Sequence, residues 1–207
     1  LSKGHASPAL YSTLAQRGYF DKKELLNFRG IDSILQGHPD MKHIPGVDMS
    51  TGSLGQGLSC ANGMALSSKL NGDGFRVYCL VGDGEIEEGQ IWEAAMSASH
   101  YKLDNLCVIV DNNNLQIDGT ITDVMSSYPI NLKFESFGFN VINIDGHNIE
   151  EIIEAFNRAK TVKGRPTVVI AKTIKGKGVS FMENQVGWHG KAPNEEQYNQ
   201  AISELRK

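Results

Sequence analysis

The sequence predicts an α/β fold, a parallel β-sheet with helices packed on both faces. Two observations carry this expectation. Four short apolar runs, Arg76 to Val81, Leu106 to Val110, Val141 to Ile144 and Thr167 to Ala171, show almost no polar alternation, the pattern of strands buried on both sides. Helix-like segments separate them, at Glu87 to Tyr101, Leu132 to Phe137 and Ile149 to Val162. Alternating strand and helix builds a parallel sheet.

The elements follow in order. Ala6 to Arg17 has a helical pattern, and Gly18 is placed to stop it. Asp21-Lys22-Lys23-Glu24 has capping-box spacing ahead of Leu25, Leu26 and Phe28. Gln36 to Gly52 reads as a long loop. Leu54 to Leu70 reads as a helix despite Gly55, Gly57 and Gly63, whose small size suits close approach of another backbone. Glu150 and Glu151 sit at the positive end of the Ile149 helix. From Lys172 a Gly/Lys loop leads into a polar helix, Asn194 to Lys207. No repeat or linker divides the chain, so residues 1–207 are expected to form one domain, with 172–207 as its terminal loop and helix.

Composition narrows the function. A formal charge of -4 over 207 residues leaves no basic footprint for nucleic acid. No apolar run reaches the ~20 residues of a membrane helix. No apolar stretch follows Leu1-Ser2-Lys3-Gly4-His5, as a signal peptide requires. Cys60, Cys79 and Cys107 lie in apolar runs without metal-ligand spacing, as buried small hydrophobes of a reduced, cytoplasmic compartment do. No Met precedes Leu1, so the chain reads like the middle of a longer protein.

Two constellations carry chemistry. Gly82-Asp83-Gly84-Glu85 follows one strand, and Val110-Asp111-Asn112-Asn113-Asn114 closes the next. Ligands of parallel sheets gather at these carboxyl ends. Asp83 offers a cation one hard oxygen, the Asn113 amide a second and the Leu115 carbonyl a third; diphosphate oxygens and a water complete the octahedron of magnesium. Gly84 lets its N–H approach a phosphate, and the helix opening at Glu87 points its positive end there. Neither G-x-G-x-x-G at this turn, nor a P-loop, nor G-x-S-x-G is present. A magnesium diphosphate site results, and thiamine diphosphate is one cofactor of that kind. The second constellation is His5, His38 and His189, each in a glycine-flanked loop, where histidines suit ligand and proton chemistry. Together they can line a pocket for a polyhydroxylated substrate. His43, His100 and His147 remain structural or unassigned, and the lack of an H-x-x-x-H pair argues against zinc.

With these motifs in view, the chain resembles the N-terminal, diphosphate-binding half of a transketolase, nearly end to end. The markers are Leu1-Ser2-Lys3-Gly4-His5-Ala6, Gly37-His38-Pro39, Thr51-Gly52-Ser53-Leu54-Gly55-Gln56-Gly57 and Gly82-Asp83-Gly84-Glu85. Tyr101-Lys102-Leu103-Asp104-Asn105-Leu106, Asp145-Gly146-His147, Ala171-Lys172-Thr173 and Trp188-His189-Gly190 continue the series.

The resemblance implies a thiamine diphosphate-binding fold and a division of labour. Asp83, Asn113 and the Leu115 carbonyl match the ligands of Mg2+, for which Ca2+ or Mn2+ can substitute. Gly84, Asn113, His5, His189 and Lys172 match residues around the diphosphate, and Gly52-Ser53-Leu54 matches the loop against the cofactor rings. His38 and His189, with His5 beside them, match histidines that bind the donor sugar and aid proton transfer. Glu88 matches an acid at the subunit interface.

The family also carries a segment before the position of Leu1 and a separate pyrimidine-binding domain with the activating glutamate. The expected molecule is therefore one subunit of a split transketolase. It would transfer a two-carbon ketol unit between sugar phosphates, by default in the pentose phosphate pathway, as a heterotetramer with a C-terminal subunit. A deoxyxylulose phosphate synthase or a 2-oxo acid dehydrogenase shares the Gly-Asp-Gly and Asn markers. Neither predicts Trp188-His189-Gly190 together with Lys3-Gly4-His5 and Gly37-His38-Pro39. A non-catalytic assembly subunit gives no reason for intact Asp83, Asn113 and pocket histidines.

Overall fold

The computed structural model describes residues 1–206. Its strands are β1 (Val77–Gly82), β2 (Leu106–Asn112), the short β3 (Leu115–Gln116) and β4 (Gly119–Thr120), β5 (Asn140–Asp145) and β6 (Thr167–Lys172). The four longer ones form a parallel sheet in the order β1-β2-β6-β5. Val108, Val110, Val168 and Val169 of the two central strands are buried, so strands covered on both sides account for the unbroken apolar runs. The edge strands are less covered: Tyr78 on β1 is 42% exposed, and Asn143 on β5 faces solvent.

Register fixes the working end. Gly82 lies opposite Asp111, Asp111 opposite Ala171, and Ala171 opposite Ile144. The carboxyl ends therefore finish together, with the β1–Asp83 turn beside the end of β2. β2 runs two residues beyond the expected Val110, because Asp111 and Asn112 still pair with Ala171 and Lys172. Polar side chains occur there because the strand has passed the apolar core.

The helices are α1 (Ser7–Gln16), α2 (Gln56–Asn71), α3 (Gly89–His100), the one-turn α4 (Ile121–Val124), α5 (Ile130–Ser136), α6 (Ile149–Thr161) and α7 (Glu195–Leu205). α2 begins after the expected Leu54 because Gly55 is left-handed, with φ 82°. α2 and α3 pack through Ala61, Ala65, Ala94, Ala95 and Ala98, and the Asn62 side chain donates to the Ala94 carbonyl at 2.7 Å. Close approach explains the small residue at Gly57, where a Cβ would lie 2.8 Å from Ser2 Cα; Gly63 has no such neighbour among the described residues.

Capping chemistry sets several boundaries. Asn148 accepts from the amides of Glu150 and Glu151 at the head of α6, and Asn194 and Gln197 form a capping box on α7. The end of that expected helix, Lys207, lies outside the described residues. Asp21 caps only a 3-10 turn, Lys22–Asn27, which buries no residue, so no packing sustains a longer helix there.

α1 positions the His38 loop. The Tyr11 hydroxyl donates to the Gln36 carbonyl and the Ser7 hydroxyl to the Gly37 carbonyl, both at 2.8 Å. Tyr11, Leu14, Leu35, Ile44 and Val47 form the apolar cluster beneath it. Cys79 and Cys107 are buried free thiols and Cys60 is half-buried; burial pushes the Cys79 thiol up to about 12. Among the described residues, no helix is long and apolar enough to cross a membrane.

Candidate functional site

Asp83 follows β1 directly and is 1% exposed. One oxygen accepts from the Gly84 amide at 3.0 Å, the other from the Asn114 amide at 2.6 Å. Asn114 is left-handed, with φ 62°, a conformation that Asn tolerates better than most residues. Beyond it the β3–β4 hairpin, which apolar periodicity does not reveal, carries Leu115, Gln116 and Ile117 over a cavity of about 290 Å³. Asn113 lines that cavity, its side-chain oxygen accepting from the Leu115 amide at 3.0 Å.

Most of the expected site residues meet here. His5, His38, Gly52, Leu54, Asp83, Gly84, Asn113, Leu115 and His189 line one cavity, joined by Lys3, Lys175 and Glu85. The rings of His5 and His189 stack, with centroids 5.3 Å apart. Gly52 has φ 142°, and a Cβ there would lie 2.8 Å from the His38 ring, so glycine is required on both conformational and steric grounds. The loop that delivers His189 is braced by the Trp188 indole, which donates to the Phe181 carbonyl at 2.8 Å, and by the Ser180 amide, bonded to Glu204 at 2.6 Å.

Three expected residues stand apart from the cavity lining. Ser53 is exposed on the adjoining loop. Glu88 occupies the N-cap position of α3 without a side-chain capping bond and packs against Gly55, where a Cβ would lie 2.7 Å from its own. Lys172 is the correction: it lines a separate depression with Asn112, Asp145 and Glu151. The cause is the two-residue period of a strand. Lys172 pairs with Asn112, whereas Thr173, one residue on, turns to the face of Asp111 and donates its hydroxyl there. The lysine that reaches the cavity from this segment is Lys175.

Glu85 is the residue that motif reasoning left without a role. It is 3% exposed. One oxygen accepts from the Ser2 hydroxyl and, at 3.1 Å, from the Gly55 amide; the other accepts from the Gly82 amide at 3.1 Å. One carboxylate thus joins the N-terminal segment, the loop before α2 and the end of β1. An acid beside a Gly-Asp-Gly turn was the only signal in the sequence.

The electrostatics are divided. Burial pushes the Asp83 carboxyl up to about 6, with nearby Asp111 adding to the rise and the Asn114 and Gly84 amides opposing it. Burial also lowers His5 to about 4, reinforced by Lys3, His189, Lys175 and His38. His189 and Lys175 are lowered too, by burial and then by neighbouring lysine charge. Asp111 goes the other way: burial opposes its charge, but Lys3 at 2.6 Å holds it below the usual carboxylate range. A cation near Asp83 together with an anion near Lys3, Lys175 and the histidines would relieve both strains.

The residues fit a metal diphosphate. His189 Nδ1 is buried without a partner among the described residues, as a donor awaiting an anion is. Gly84 leaves a concavity in which a Cβ would lie 3.2 Å from Gln116. Among the described residues, no group of three or more His, Cys, Asp or Glu could hold a metal alone. A carboxylate, an amide and a backbone carbonyl are hard oxygen donors, suited to magnesium that keeps phosphate oxygens in its shell.

The chain is similar to known proteins over nearly its whole length. Residues 1–206 match the family model described as transketolase, thiamine diphosphate binding domain. The chain is 44% identical to the 6-deoxy-6-sulfo-D-fructose transketolase subunit SqwG of Clostridium sp. (strain MSTE9), covering 100% of this chain and 75% of that one. It is 42% identical to an apulose-4-phosphate transketolase subunit of Phocaeicola vulgatus, over 99% of this chain and 73% of that one. The transketolase of Homo sapiens is 47% identical over 99% of this chain and 32% of its own. The crystal structure of Campylobacter jejuni transketolase superposes with a TM-score of 0.88 at 38% identity, over 98% of this chain and 33% of that one. The chain thus spans about three quarters of the subunit relatives and about a third of that solved chain. These relatives favour the transketolase expectation over a 2-oxo acid dehydrogenase, a deoxyxylulose phosphate synthase or a non-catalytic assembly role. The chain belongs to the transketolase family, as its thiamine diphosphate-binding domain.

Proposed function

We propose that this chain is the diphosphate-binding subunit of a split transketolase, a transferase active with a second chain. The observation that carries the reading is one cavity with oxygen donors for a metal on one side and cationic or hydrogen-bond-donating groups on the other. Asp83, Asn113 and the Leu115 carbonyl hold Mg2+. The Gly84 amide, His5, His189 and Lys175 hold the diphosphate, with Lys175 in the place expected of Lys172. Gly52, Ser53 and Leu54 form the loop against the cofactor rings.

When bound, thiamine diphosphate supplies a nucleophilic carbon and an electron sink for breaking the bond beside a ketose carbonyl. The chain's own residues position and exchange protons. His38 and His189 bind the hydroxyls of the donor and hold the proton that moves during cleavage and transfer. Before an anion binds, burial lowers His5 to about 4, so its ring enters the site neutral and can accept as well as donate. The overall exchange moves a two-carbon ketol unit from a ketose donor to an aldose acceptor.

The relatives' names indicate which donors to test. One is named for 6-deoxy-6-sulfo-D-fructose and another for apulose 4-phosphate, so the donor class to test extends beyond pentose phosphates. Both are also named as subunits, which supports a partner chain; in the proposed assembly that partner carries the pyrimidine-binding half, with two copies of each chain in the cytoplasm. Native mass spectrometry of the full-length chain, with Mg2+ and thiamine diphosphate, tests this. A second chain in equal number with bound cofactor is expected. A homodimer that binds no cofactor would overturn the reading.

A further inference from the structure

His147 lies outside the cavity, on the turn after β5, yet it bonds to the strap that delivers Lys175. That strap leaves β6 at Lys172 and is tied at successive residues. The Thr173 amide donates to the Asn112 carbonyl at 3.1 Å, and its hydroxyl donates to Asp111. The Ile174 amide donates to Nε2 of His147 at 2.7 Å. After Lys175, whose carbonyl accepts from the Asn184 amide at 3.0 Å, the chain turns away. The imidazole is therefore the last side-chain tie before Lys175, followed only by the Ile174 carbonyl, which accepts from the Lys177 amide at 3.2 Å.

The turn that presents the ring is itself fixed. The His147 amide donates to the Asp145 side chain at 2.9 Å, and the Gly146 amide donates to the Lys172 carbonyl at 2.7 Å. A Cβ on Gly146 would lie 2.5 Å from Thr173 Cγ2 and 3.0 Å from the Lys172 carbonyl oxygen, so the turn abuts the strap. Nε2 accepts, which requires the neutral ring with its proton on Nδ1. Lys175 lines the cavity together with Lys3, whose like charge opposes its own while Asp111 and Asp83 attract it.

We infer that His147 is a positioning residue for the cofactor's diphosphate, holding Lys175 toward the cavity through the Ile174 amide. This rests on the cavity taking thiamine diphosphate, as proposed above. His147 is exposed, so it acts through a directional bond, and its removal opens no core.

The test compares wild-type, His147→Ala and His147→Gln chains, each assembled with the partner subunit. Gln places an acceptor oxygen near the position of Nε2. Amide hydrogen exchange at Ile174 is expected to rise about tenfold in His147→Ala. Affinity for Mg2+ and thiamine diphosphate, by titration calorimetry, is expected to fall about fivefold, the worth of one hydrogen bond. His147→Gln restores both. In a Lys175→Met background, His147→Ala costs no further affinity, because both changes remove the same contact. Faster exchange with wild-type affinity, or additive losses in the double variant, overturns the role of His147. A wild-type assembly that binds no thiamine diphosphate removes the cofactor reading, and this inference with it.

Discussion

Asp83 and Asn114 meet across the ends of two neighbouring strands, the Asn114 amide donating to the Asp83 carboxylate at 2.6 Å. This bond closes the Gly-Asp-Gly turn on β1 against the left-handed turn after β2. It aims the buried acid at the cavity shared with Asn113 and Leu115. Asp83→Ala should abolish Mg2+-dependent thiamine diphosphate binding while the far-ultraviolet circular dichroism of the fold persists. Unchanged cofactor affinity by calorimetry would remove Asp83 from the metal set.

The raised Asp83 also sets a pH dependence. Its folded value, about 6, lies above the ordinary carboxyl value of 3.8. The folded acid therefore binds protons more readily than the unfolded one, and its contribution to apo-protein stability is lost as pH rises from 3.8 through about 6. A metal needs the carboxylate, so cofactor affinity should fall about tenfold per unit below pH 6. Asp83→Asn should flatten that slope. A wild-type affinity flat from about pH 5 to 7 contradicts the metal role.

The two lysines near the end of β6 separate by function. Lys175→Met should weaken thiamine diphosphate binding by about tenfold, the loss of a charge-assisted contact. Lys172→Met should leave it unchanged, because Lys172 faces the depression beside Asn112 and Asp145. The reverse ranking in a binding titration would restore Lys172 to the site.

Glu85 should matter for stability as well as for the cofactor. Glu85→Ala leaves the Ser2 hydroxyl and the Gly55 and Gly82 amides without an acceptor. We expect a loss of about 3 kcal/mol in urea denaturation. Cofactor affinity should weaken too, because three cavity-forming segments come loose together. A loss below about 1 kcal/mol would mean that water replaces the carboxylate.

His38 should separate substrate from cofactor. It lines the cavity, packed against Gly52. His38→Ala is expected to lower donor turnover by about 100-fold, within the range of a lost proton-transfer group, with cofactor affinity within about twofold of wild type. Unaltered donor kinetics would exclude it from the substrate pocket.

Sequence alone determined the layer order and the principal motif of this protein. Unbroken apolar runs at Leu106 to Val110 and Thr167 to Ala171 could only be strands covered on both faces, and the structure makes them the two central strands. Gly-Asp-Gly and the Asn run were legible because ligand sites follow strand ends, and strand ends are read from where apolar runs stop. Tertiary structure decided what local pattern does not encode. It chose Lys175 over Lys172 because side chains alternate along β6, so a single residue of register changes the face. It gave Glu85 its work because the three groups it binds lie far apart in the chain. It brought His5 to His189 across nearly the full length of the sequence, and it turned His147 toward the Ile174 amide. Strand periodicity and turn composition are local; the partners of a buried carboxylate or an imidazole are fixed only once the sheet has set which loops lie side by side.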